Sequence, residues 1–331
     1  MIEELGPMRN WNLGGYVLAC CAAAAMLAGC GGSAPPIGAP GAMTQSRAAA
    51  THADNGGSWM APDATKQDLL YVSDWGTGDV YAYSYPKGKL QGKLTGLMPT
   101  GLCVDKKGDV FVDNSREILE YAHGGTSPIA TLDDSGGYPT VCSIDRVTGD
   151  LAVANRGDKK GISIFTHARG RPTIYVDPKI EVVYFCGYDN HGNLYLDGFG
   201  PRGSRFAFAE LPHGSHAFTE ITLDQTIRWP GGVQWDGRYI AVADIGIENR
   251  GSVIYHFAIN GDHGTKVGST PLSSSREVLQ FWIDPPNVIG PDNGGDYGSA
   301  VKFWAYPAGG APKRSLQGFD SPWGATVSKA R

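Results

Sequence analysis

The sequence predicts an all-β fold, a six-bladed β-propeller with four-stranded blades, on three observations. A short phrase that stops at a turn former recurs six times between residues 69 and 292. The phrase before it ends in Asp five times, at a period of 40 to 48 residues. No stretch of the same region sustains a helical period. The chain of 331 residues carries 47 Gly and 10% aromatic residues, with short alternating runs of Val, Ile, Leu and Tyr, as expected of many short strands joined by tight turns.

Residues 1–29 stand outside this fold. A polar start with Arg9 leads into an apolar run from Tyr16 to Ala28, the pattern of a secretory signal peptide. The run is short for a bilayer span. It closes on Leu27-Ala28-Gly29-Cys30, which resembles the lipobox of bacterial lipoproteins. That resemblance implies cleavage before Cys30, acylation of Cys30 and a membrane anchor of several acyl chains in the bacterial cell envelope, on its periplasmic or extracellular side. Glu3 and Glu4 are out of character in such a leader, and a start at Met8 gives a cleaner one. Residues 30–67 are mostly Gly, Ala, Pro, Ser and Thr, which bury too little surface to offset their ordering entropy, so a flexible, solvated tether is expected. Trp59 and Met60 stand out from it.

The domain, residues 68–331, begins with Leu69–Asp74 (LLYVSD). The phrase returns as Asp109–Asn114 (DVFVDN), Asp150–Asn155 (DLAVAN), Asn193–Gly198 (NLYLDG), Tyr239–Asp244 (YIAVAD) and Asn287–Asp292 (NVIGPD). Each reads as a strand ending at a turn. Five are preceded by a strand ending in Asp105, Asp145, Asp189, Asp236 or Asp284; subtraction gives spacings of 40, 44, 47 and 48, too long for leucine-rich or ankyrin repeats. Two more strand-like pieces follow, such as Val80–Ser84 and Leu90–Leu94. They are linked by a joint that reads Tyr85-Pro86-Lys87-Gly88 and returns at Tyr121, Leu211 and Tyr306. Four strands, a to d in chain order, make one blade. The domain opens on a b strand with no a strand before it. Ser321–Ser328, at the other end, is therefore expected to supply the missing strand and close the ring, since open sheet edges are a liability.

Pro99–Asp105 followed by Gly108–Val112 resembles the NHL repeat and the related SMP-30/gluconolactonase propellers, and the likeness covers residues 68–328. The resemblance implies the fold, while function varies widely on it. Gluconolactonase-like members hold a divalent metal with Glu, Asn and Asp at the starts of inner strands. The matching places here read Thr100, Thr140, Gly231 and Trp323, with Glu181 and Glu277 the carboxylates nearby. Two hard ligands do not make an oxygen cage. The metal-dependent hydrolase thus stands as the alternative to a non-enzymatic binding or interaction propeller.

Other chemistry is sparse. The net charge of −5 gives no basis for a nucleic-acid partner. No cofactor motif and no nucleophile with an adjacent base is present. His213-Gly214-Ser215-His216 has no acid or Cys group to complete a zinc site. Cys103, Cys142 and Cys186 are odd in number and read as small buried residues, not as a disulfide framework. The repeated aspartates read as turn formers, because repetition at one blade position points to structure. One asymmetry remains. The b-to-c and d-to-a loops, which share a face, carry Arg116, Arg156, Arg202, Arg205, Arg228, Arg250 and Arg276 with Trp75, Tyr138, Phe199, Trp229, Tyr297 and Trp323. Arginine forks beside flat rings suit an anionic small ligand, a glycan or a protein partner.

Overall fold

A computed structural model of the chain describes residues 56–134, 137–156, 161–203, 205–246, 251–294 and 298–331. The leader, Cys30, Arg250 and Tyr297 lie outside them.

The described residues form antiparallel four-stranded meanders. The first takes its a strand from Pro322–Ser328 and continues through Leu69–Asp74, Asp79–Ser84 and Leu90–Leu94. The second is Pro99–Val104, Val110–Asn114, Glu117–Tyr121 and Pro128–Asp133. The third is Pro139–Ile144, Leu151–Asn155, Gly161–Phe165 and Thr173–Tyr175. The fourth is Val182–Tyr188, Leu194–Phe199, Phe206–Leu211 and Thr219–Glu220. The fifth is Pro230–Trp235, Ile240–Asp244, Ser252–Asn260 and His263–Leu272. The sixth is Trp282–Asp284, Asn287–Asp292, Ser299–Ala305 and Gly309–Phe319.

The C-terminal strand pairs antiparallel with the first, from Leu69 opposite Ser328 to Asp74 opposite Pro322. The fifth and sixth meanders are not separate sheets. The long d strand of the fifth reaches the sixth through one parallel bridge, Leu272 to Gly310, and also pairs in parallel with the short strand Thr222–Leu223, giving a sheet of nine strands. Gly309, at φ 68°, lies so close to Pro271 that a Cβ there would collide with it.

Burial explains why the b strands were legible. Leu69–Asp74 and Leu194–Phe199 are buried at every position, whereas the outer strand Pro128–Asp133 is largely exposed. Continuous apolar runs are what strands covered on both faces require. The apolar clusters lie between neighbouring meanders. Leu69 and Tyr71 pack with Leu102 and Val112; Phe111 and Ile118 with Val153 and Phe165; Ile254 with Val288 and Trp304; Leu70 and Val72 with Ile289 and Val301. A meander alone would expose both faces, so the array is stable as a set.

Two expectations are corrected. Cys103 and Cys142 form a disulfide, with Cα atoms 5.5 Å apart, leaving Cys186 as a free buried thiol. It ties the inner strands of the second and third meanders. An odd count hid it, because parity says nothing of which neighbouring strands bring two thiols together. A loop of 39 residues closed this way stabilises by about 4 kcal/mol on chain-entropy grounds. The end of the tether is also not solvated. Trp59 and Met60 pair with Lys93 and Gly92 as an extra outer strand of the first meander, and a Cβ at Gly92 would collide with the Met60 sulfur.

Candidate functional site

The inner strands meet around the centre, and each step between them is bridged near their starts. Ser73 Oγ donates to Thr100 O and accepts from Gly324 N. Thr100 Oγ1 donates to Pro139 O at 3.0 Å, and Thr140 Oγ1 to Tyr184 O at 2.8 Å. The Asp197 carboxyl accepts from Phe185 N and faces the Gly231 amide. Gly232 N donates to Leu279 O and Gln280 N to Trp323 O. The register of five a strands shifts here, a recurrent bulge with one extra residue on the a strand. These are the places where the resembling hydrolases carry metal ligands. Here both threonine hydroxyls are spent on backbone carbonyls, Gly231 has no side chain and Trp323 has no oxygen donor. Among the described residues no three His, Cys, Asp or Glu side chains are grouped to hold a metal. Glu181 accepts from the Arg202 amide. Burial raises the Glu277 carboxyl above its usual range, opposed by Arg276.

The repeated acids act on the backbone. Asp105 accepts from Lys107 N and Asp109 N, Asp145 from Val147 N and Thr148 N, Asp189 from His191 N and Asn193 N, and Asp236 from Arg238 N and Tyr239 N. Asp284 departs from this pattern because the next two residues are Pro285 and Pro286, which have no N–H to offer. It lies near the Tyr85 hydroxyl and pairs with Lys329 at 3.2 Å. Acids at the b-strand ends hold the d-to-a loops in the same manner. Asp74 accepts from Asp320 N and Ser321 N, Asp244 from Arg228 N and Trp229 N, and Asp292 from Arg276 N and Glu277 N.

On that loop face the predicted residues separate into groups. The Arg156 guanidinium lies 4.6 Å from the Tyr184 ring centroid. Tyr184 meets Phe199 edge-on at 5.7 Å, and Phe199 meets Trp229 edge-on at 5.5 Å. One guanidinium and three rings from three meanders therefore form a continuous strip, in which the buried Phe199 joins the half-buried Tyr184 and Trp229 beneath the exposed Arg156. Arg116 lies over the exposed Tyr138 at 6.0 Å as a separate pair. Arg202 and Arg228 are exposed, and Arg276 Nη1 is held by Gly294 O. Trp75 is tied to the Ser321 carbonyl through its amide. The half-buried Trp323 has an indole N–H with no hydrogen-bond partner. Sequence reasoning missed Tyr184. Its signal is its place at the bulge, where the neighbouring repeats have Thr100 and Thr140.

The opposite face, where a strands turn into b strands, holds a cavity of about 540 Å³. Its inner end is crossed by Gln280, which reaches past Gly324 to bond both N and O of Leu102. Its wall includes the Cys103–Cys142 disulfide, Tyr188, Trp235 and Trp282. No residue of this cavity was singled out as a ligand contact from sequence. The readable cue was Tyr188 and Trp235 standing just before the repeated Asp, where other repeats have Val104, Ile144 and Ile283.

The sequence matches no protein-family model and no curated protein. Solved structures do resemble the fold. A chain in the crystal structure of the nidogen/laminin complex, which contains a β-propeller, superposes with a TM-score of 0.64 at 13% identity, covering 80% of this chain and 99% of that one. A protein of unknown function from Bacteroides caccae superposes with a TM-score of 0.59 at 12% identity, covering 79% and 99%. At such identities the likeness establishes the fold alone: an all-β, propeller-like domain. No helix among the described residues is long and apolar enough to cross a membrane.

Proposed function

We propose that the chain is an exported six-bladed β-propeller of the NHL/SMP-30 kind, anchored through Cys30 in the bacterial cell envelope. It works as a non-enzymatic binding module whose b-to-c and d-to-a loop face takes a carboxylate- or phosphate-bearing partner. The observation that carries the reading is the strip of Arg156, Tyr184, Phe199 and Trp229. A planar cation beside rings held in edge contact is preorganised for an anion with an apolar body. Six meanders, with the last strand paired to the first, support the blade count. The disulfide supports export, since such bonds persist in oxidising compartments.

The test is retention of envelope-extract components on immobilised wild-type and Arg156→Ala protein at low and high salt. Wild-type binding should fall with salt, because exposed charge pairs are screened over a Debye length of about 8 Å at physiological ionic strength. Arg156→Ala should lose about tenfold or more in affinity with its melting temperature unchanged. Salt-independent binding that Arg156→Ala retains in full would remove this face from consideration.

A further inference from the structure

The cavity on the opposite face continues outward. Trp235 and Asp189 line both it and a groove of about 380 Å³ between the fourth and fifth meanders. Trp235 is therefore the shared wall of a two-part cleft. Inward of it stand Tyr188 and Trp282; outward stand Tyr239, with the Arg238 guanidinium 4.9 Å from its ring, and Glu210, which accepts from the Tyr195 hydroxyl. The two volumes fall in the range of small-molecule sites.

We propose that this cleft is a second binding site, for a neutral oligosaccharide whose terminal residue enters the central cavity while the chain runs over Trp235 into the groove. Half-exposed flat rings at intervals along a cleft suit the apolar faces of successive pyranoses. The polar edges suit hydroxyls: Asn190 and His191 are exposed, and the Gln234 amide N–H₂ remains after its oxygen accepts from Ile283 N. Charge argues for a neutral ligand. Asp189 and Asp236 are spent on their turns, and Asp284 is paired with Lys329. Arg146, Arg238 and Lys329 line the cleft together with Asp189, Asp236, Asp284 and Glu210, so no sign dominates its rim.

The test titrates the full chain with maltohexaose, cellohexaose, mannohexaose and chitohexaose, read by tryptophan fluorescence and calorimetry. At least one should bind saturably, equally at low and high salt. Its monosaccharide, which fills the cavity without reaching the groove, should bind about tenfold more weakly. Trp235→Leu keeps an apolar side chain in the wall and should weaken binding by about tenfold or more, and Asn190→Ala, on the exposed rim, should weaken it without changing the fold. Arg156→Ala should leave it intact, so failure here is distinguishable from failure of the anionic site. The proposal is overturned if none of the four sugars binds, if Trp235→Leu and Asn190→Ala both bind as wild type, or if a random hexapeptide pool occupies the cleft in their place.

Discussion

At the scale of single residues, the acids divide by what meets them. Asp105, Asp145, Asp189 and Asp236 were legible as turn formers because one residue type at one repeat position needs one explanation. The amides that meet them supply it. Asp113 was not legible. It is fully buried on a b strand, neither carboxyl oxygen has a hydrogen bond, and burial, reinforced by Asp134, pushes its pKa well above the usual range. A carboxyl whose folded pKa lies above its unfolded one binds the proton more tightly when folded. Its stability contribution is therefore greatest below the unfolded value and declines as pH rises toward the folded value. Asp113→Asn removes that titration. It should raise stability at neutral pH by on the order of 1–3 kcal/mol and lose most of this advantage near pH 4. Thermal melts of both proteins across pH check this; an Asn variant that melts lower at pH 7 would mean the carboxylate is charged and matched by a group it needs.

At the scale of elements, the repeat located the b strands well because a strand covered on both faces is apolar at most of its positions. The d strands, half exposed and of 2 to 11 residues, left weaker marks. The bulges at the inner-strand starts were illegible, since they follow from hydrogen bonds between meanders, such as Thr140 to Tyr184, and not from local propensity. Closure, by contrast, was readable by counting strands. It leads to a strong expectation for a short deletion. Removing Asp320–Arg331 takes away the partner of Leu69–Asp74, the Trp323 carbonyl that receives Gln280, and the amides that satisfy Asp74. It also uncovers Leu70 and Val72, now packed beside Ala325 and Val327. A twelve-residue tail is ordinarily dispensable. This one should not be, and the truncated chain should lose its cooperative melt and be cut rapidly by protease; melting like the full chain would show that the ring does not need this strand.

At the scale of the whole molecule, the two faces differ in kind. One presents Arg156, Tyr184 at an inner-strand bulge and Trp229 around the buried Phe199, and the other a cavity bounded by strand ends, with Gln280 at its inner end. A domain working at a membrane must reach its ligands from there, which makes the anchor the property to test. The described residues offer no helical span, and the net charge of −5 gives no electrostatic reason to adhere to an anionic bilayer. On the proposed reading, retention therefore rests on acyl chains at Cys30. One chain holds a protein only marginally, and several hold it stably. Cys30→Ser removes the thiol that the first chain requires. The variant should leave the membrane fraction for the soluble one, with the melting temperature of the domain unchanged, since Cys30 lies outside the short strand Trp59–Met60 and the helical turn Ala64–Lys66 that precede the first meander. Fractionation with metabolic labelling by a fatty acid reads both effects together. Label and membrane retention lost in parallel support the anchor, while a Cys30→Ser protein that stays membrane-bound without label would place the attachment on a protein partner.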